Sequence, residues 1–411
     1  MEEWKEYKLE DIAEILTGPF GSQLHNEDYT NIGTPIVTVE HLGNRRFSRQ
    51  NLPLISDYDK KRLSKYTLQN GDIVFSRVGS VDRCSYVTST ENDWLFSGRC
   101  LRVRCNNNCH SLFIYYYFCN VPVKQYIKSI AVGATMPSIN TRIMSEIPIL
   151  LPKFEKQKRI ADILSSLDDK IELNRRINEN LEQQAQALFK SWFVDFEPFK
   201  DGKFVDSELG MIPEGWKVKK LGELCDSISV THPCKEGQLI FLNTGDIENG
   251  FVLNHKYMNI KDMPGQAKKS IQENDILYSE IRPINRHFAF VNFPAQEYIV
   301  STKLMVLRAN DNESSIRLYQ YLTSEDVINE LQHEAESRSG TFPQIRFENI
   351  KSLKILIGSD DVEKQYTKYI ENIYKMIFQY RKEIIRLEQL RDTLLPRLMS
   401  GELEIKDNSY D

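Results

Sequence analysis

Residues 155–193, EKQKRIADILSSLDDKIELNRRINENLEQQAQALFKSWF, decide how the rest of the chain is read. From Ile160, alternate steps of four and three reach Leu164, Leu167, Ile171, Asn174, Asn178, Leu181, Ala185, Leu188 and Trp192, with no Pro or Gly between them. This heptad seam predicts one unbroken helix, roughly 58 Å long at ~1.5 Å per residue. A helix of that length needs a partner. Residues 363–403 offer one: steps of three and four from Ile370 reach Ile373, Ile377, Tyr380, Ile384, Leu387, Arg391, Leu394 and Leu398. Two ordinary core helices would also fit, but Asn174 and Asn178 inside an apolar seam cost stability and are of the kind that fixes register. An antiparallel pair would be a stiff rod with whatever precedes each helix attached at opposite ends.

The two stretches are copies. Glu155-Lys156-Gln157 returns as Glu363-Lys364-Gln365, and Leu181-Glu182-Gln183 as Leu387-Glu388-Gln389. The likeness extends upstream, where Trp4-Lys5 returns as Trp216-Lys217 and Gly71-Asp72-Ile73-Val74-Phe75-Ser76 as Asn274-Asp275-Ile276-Leu277-Tyr278-Ser279. Ser97-Gly98-Arg99 matches Ser301-Thr302-Lys303, and Thr135-Met136-Pro137 matches Thr341-Phe342-Pro343. A repeat this long means one domain built twice. Each copy reads as a mixed α+β unit. Apolar runs bounded by Gly, Asn and Asp predict strands at 71–76 and 274–279, with further strands at 34–39, 100–103 and 147–151. Residues 112–130 read as one helix despite Pro122. The chain then divides into a first domain (1–152), a first spacer helix (153–195), a linker rich in Gly, Pro and acidic residues (196–215), a second domain (216–359), a second spacer helix (360–401) and a tail (402–411).

Composition narrows the function. Of 411 residues, 41% are hydrophobic, enough core for two or three domains. No signal peptide or membrane span is evident, and seven scattered cysteines fit reduced thiols, so a cytoplasmic protein is expected. The net charge of −5 divides as +1, 0, −4 and −2 over residues 1–152, 153–200, 201–359 and 360–411, so no region is a basic domain. The chain lacks a phosphate loop, a GxSxG elbow and HExxH, and Cys105, Cys109 and His110 lack a second ligand pair at zinc spacing. Neither a catalytic site nor a metal site is expected.

What the loops do carry is basic and amide side chains. Arg45, Arg46 and Arg49 lie in a polar turn; Arg77, Ser80 and Arg83 follow the first buried strand, and Arg282 and Arg286 follow its duplicate. Arg99, Thr135 and Arg142, with Lys303, Thr341, Gln344 and Arg346, complete the candidates for DNA contact. Arg suits guanine edges, Gln suits adenine, and Lys, Ser and Thr suit phosphate.

In this order the elements resemble the specificity subunit of a type I restriction-modification system over nearly the whole chain. Two units each carry the Gly71-Asp72-Ile73 or Asn274-Asp275-Ile276 strand and a T-x-P element, and each runs into a spacer helix. The tracts SWFVDFEPFKDGKFVDSELGMIPEGW and TLLPRLMSGEL are similar too. The resemblance implies two target-recognition domains, each reading one half of a split double-stranded DNA target, separated by an antiparallel coiled coil that sets the unread gap. It implies two methyltransferase subunits as partners, using S-adenosylmethionine, and restriction motor subunits using ATP and Mg, with no cofactor bound by this chain. A coiled-coil scaffold joining two protein-binding domains is the competing expectation.

Overall fold

The structure, a computed structural model, describes residues 4–19, 23–310, 314–338 and 343–405. The chain forms two compact units, 1–171 with 386–411, and 172–385.

In the first unit a four-stranded antiparallel sheet has the order Ala13–Thr17, Cys100–Cys105, Ile73–Ser76, Cys84–Tyr86. The second repeats it with Cys225–Ser227, Leu304–Ala309, Ile276–Ser279 and Phe288–Phe290. A second sheet in each unit is built on a parallel pair, Thr34–Val37 with Leu95–Phe96, and Gln238–Leu242 with Tyr298–Ser301. The copies diverge at its margins. Tyr29–Thr30 forms an extra edge beside Leu54–Ile55 in the first, and Ala267–Ser270 forms one on the other side, beside Tyr298–Ser301, in the second.

The strands Ile73–Ser76 and Ile276–Ser279 are buried at every residue. Alternation sends Ile73 and Phe75 into one apolar cluster and Val74 into another, just as Ile276 and Tyr278 part from Leu277. Burial on both faces is why these runs are apolar throughout rather than alternating. The turn before each strand is held by a carboxylate. Asp72 is 1% exposed, accepts from the Gln69 backbone at 2.8 Å and pairs with Arg104 at 2.7 Å. Asp275, fully buried, does the same with the Gln272 backbone and Arg308. The hydrogen bond to each carboxylate holds the guanidinium above its ordinary pKa.

Residues 112–130 are not one helix. Ser111–Cys119 and Val121–Ile130 are separated by Asn120 in an extended conformation. Pro122 has no N–H to donate and its ring would clash with the carbonyl of Phe118, so it fits only the first turn of a new helix. The 196–215 segment is folded: Phe204–Ser207 and Gly210–Pro213 form a hairpin, and Phe196 and Phe199 stand edge-on to Trp216 at 5.6 and 5.0 Å.

Both long helices run unbroken for 40 residues, Phe154–Phe193 and Asp360–Met399. In the second unit Asn174 meets Glu383, Glu182 meets Arg381 and Phe193 meets Tyr366, at 3.0, 2.6 and 4.7 Å, so the partner numbers fall as the first rise. The helices are antiparallel there. In the first unit Asp168 pairs with Arg391 at 2.8 Å, and Ile160, Ala161 and Leu164 share a core with Leu395, Leu398 and Met399. Leu164, Ile171, Asn174, Asn178, Leu181, Ile377 and Ile384 are buried in the seam. Leu167, Leu188, Trp192, Ile373, Tyr380, Leu387 and Leu394 are only half-buried, and Asp168, Phe193, Tyr374, Arg381 and Leu395 hold the buried places beside five of them. A helix turning every 3.6 residues drifts from a strict heptad, and these helices also bury surface against their own domains.

Each buried carboxylate pairs with a partly exposed arginine and also accepts from a backbone N–H. Asp72→Ala and Asp275→Ala should each lower stability by about 2 kcal/mol, measured by urea unfolding of the purified chain.

Candidate nucleic-acid interface

Past the strand Ile73–Ser76 the chain turns through 77–83 and is clamped by two other segments. The Arg77 N–H donates to the Arg99 carbonyl (2.8 Å), the Gly79 N–H to Pro137 (2.8 Å), and the Ile139 N–H to Arg77 (2.9 Å). The T-x-P element is therefore a structural clamp on the loop after the buried strand. Arg77, Arg83 and Arg99, with Thr38, Glu40 and Ser97, line a cleft of about 610 Å³. Three guanidinium groups around one open cleft suit a polyanion or the acceptor edges of bases.

The second unit repeats the clamp bond for bond. The Glu280 N–H donates to Lys303 (3.0 Å), the Arg282 N–H to Pro343 (3.2 Å), and the Ile345 N–H to Glu280 (2.8 Å). Ser76 and Ser279 likewise donate to the carbonyls of Arg83 and His287, both at 2.9 Å. On one backbone frame, Arg77, Arg83 and Arg99 of the first unit are replaced by Glu280, His287 and Lys303. Gly79, at φ +77°, is replaced by Arg282 at φ +44°. A residue with a Cβ in that region costs about 1 kcal/mol, so exposed Arg282 is held there at the expense of stability.

Other sequence candidates fall elsewhere. Arg45 points inward from a left-handed turn (φ +66°): its side chain is 13% exposed and pairs with Asp169 of the long helix at 2.9 Å, also donating to the Ser165 carbonyl. It fastens its loop to that helix. Arg286 makes an exposed pair, one nitrogen 2.7 Å from both oxygens of Glu325. Arg49 is exposed, 3.7 Å from buried Glu91 and over the Trp94 ring, while Arg46 is half-buried and its carbonyl accepts from Gly43. Arg83 lines the cleft with its guanidinium donating to the Leu42 carbonyl. Ser80 and Thr135 are exposed on the clamped loops, and Arg142 is exposed on the short helix Thr141–Ser145. Lys303 is 4.0 Å from Glu280; Gln344 is half-buried, bridging Ile281; Arg346 is exposed before the helix Phe347–Ile350. Thr341 lies outside the described residues.

Sequence reading does not single out Glu280 as the counterpart of Arg77. The repeat itself carried the signal, since Arg77 and Glu280 are the next residues after the matched strands. Among the described residues, no group of three or more His, Cys, Asp or Glu could hold a metal ion, and no helix is long and apolar enough to cross a membrane. All seven cysteines are free, and burial pushes the Cys100 thiol up to about 12.

A family model described as "Type I restriction modification DNA specificity domain" matches residues 1–183 and again 213–389. The type I restriction enzyme MjaIX specificity subunit of Methanocaldococcus jannaschii is 27% identical, over 98% of this chain and 94% of its own length. The HindI specificity subunit of Haemophilus influenzae is 24% identical, over 98% of this chain and all of its own. In structure, the type I restriction-modification S subunit from M. genitalium superposes with a TM-score of 0.60 at 16% identity, covering 98% of this chain and 97% of its own, a likeness of fold.

The contrast between Arg45 and Arg99 is measurable. Arg45→Ala should lower the thermal midpoint by several degrees, as loss of a half-buried ion pair does, whereas Arg99→Ala should leave it within about 1 °C.

Proposed function

The chain belongs to the family of type I restriction-modification DNA specificity domains, and from that premise we propose that it reads a bipartite, gapped DNA target, one half through each unit. Its family role is recognition rather than catalysis. The observation that carries the bipartite reading is the duplicated clamp, one backbone frame bearing different side chains in the two units. Identical frames would approach DNA alike; different side chains would select different bases, giving an asymmetric target. Reading takes place in the major groove, where the four base pairs are distinguishable.

The long helices, each passing from one unit into the other along the chain, set the length of the unread gap. They also dock two methyltransferase subunits, which bind S-adenosylmethionine and flip the target adenine. Restriction motor subunits using ATP and Mg complete the assembly in the cytoplasm. The near-neutral charge of the chain accords with this, because phosphate affinity that is independent of sequence can come from the partners.

Seven residues inserted into each long helix, after Ile171 and after Ile385, keep the heptad phase and add about 10 Å, or roughly three base pairs at 3.4 Å each. Methylation mapping of the assembled methyltransferase should return the same two half-sites with a gap longer by about three. An unchanged gap would remove the spacing role and leave DNA recognition standing.

A further inference from the structure

The clamp fixes which side chains of the two units are comparable, and one comparison inverts chemistry. Arg77 and Glu280 both leave the buried strand immediately after its serine, both donate their N–H to the carbonyl of the residue just before the neighbouring strand (Arg99 or Lys303), and both accept from the isoleucine after the T-x-P element. At 99 and 303 the charge is kept; at 77 and 280 it changes sign.

We propose that this position determines specificity in both units, Arg77 selecting a guanine in one half-site and Glu280 a cytosine in the other. The proposal rests on the reading that each unit faces one half-site. A guanidinium can only donate hydrogen bonds, and in the major groove guanine alone offers two acceptors, O6 and N7, at the spacing of its fork. An ionised carboxylate can only accept, and cytosine offers a single donor, its N4 amino group, with no acceptor beside it. Carboxylates are unwelcome next to phosphates unless a cation accompanies them. Glu280 has one: Lys303 lies 4.0 Å away at the place Arg99 occupies in the first unit, and Arg282 projects from the same turn.

The test uses the full chain assembled with its methyltransferase subunits, enriching bound sequences from a random duplex DNA pool. Wild type should enrich two half-sites, one holding a guanine and the other a cytosine that respond to these substitutions. With Glu280→Gln, cytosine preference at a single position of one half-site should fall at least tenfold, every other position staying as it was. Arg77→Gln should do the same to one guanine of the other half-site. Should Glu280→Gln fail to assemble, Glu280→Asp, which keeps the charge and shortens the reach, should weaken the same cytosine preference. Weaker binding with unchanged base preferences would overturn the proposal, since Glu280 would then only hold Lys303 and Arg77 only phosphate. In that case wild type would still enrich a gapped target and bipartite recognition would survive; a wild-type complex that enriches no gapped sequence would end both.

Discussion

Everything in each unit hangs from a four-residue strand buried on both faces. Ile73–Ser76 and Ile276–Ser279 send alternate side chains into separate apolar clusters. A slip of one residue would put every side chain in the wrong cluster, so the register is fixed at both ends. The buried aspartate with its arginine sets the entry to the strand, and the clamp of backbone hydrogen bonds sets the exit. Because the clamp uses only backbone groups, the side chains emerging from it are free to differ. The strand keeps the frame, and Arg77 and Glu280 just beyond it differ in charge while the backbone bonds that hold them are the same.

The helix pair solves a different problem. An apolar seam alone tolerates sliding, since leucines and isoleucines pack comparably in several alignments. The Asn174 amide N–H donates to Glu383 and Asp168 pairs with Arg391 in one alignment only, and a slip would break both. Arg381 adds a third tie, reaching Glu182 on the facing helix and the Gly250 carbonyl of the adjoining domain while covering the Phe251 ring.

Much of this was legible in the amino-acid order because two periodicities and one repeat are strong signals. Heptad spacing from Ile160 and Ile370 marked both long helices, and the repeated Asp-Ile strands marked the two domains. The seam was read too strictly, placing Leu167 and Leu394 where Asp168 and Leu395 are buried, since a charged residue inside a helix pair looks like surface until its partner is known. Pro122 was passed over although its missing donor ends a helix. The site was harder. Arg45 has the composition of a DNA contact, but a left-handed turn and a neighbouring carboxylate, both products of tertiary packing, fold it onto the long helix. Glu280 escapes a search for cations because it carries the opposite charge to its counterpart Arg77.

The first unit is stitched from two distant pieces of chain. Leu395, Leu398 and Met399 seal its core, and Trp4 lies close against Gly401, where a Cβ would come 2.8 Å from the indole nitrogen. The second unit, by contrast, is one uninterrupted run of residues. On the ribosome the later domain can therefore close before the earlier one, whose apolar surface stays incomplete until the final helix leaves the exit tunnel. Vectorial synthesis, which ordinarily favours whatever is made first, is here reversed by topology.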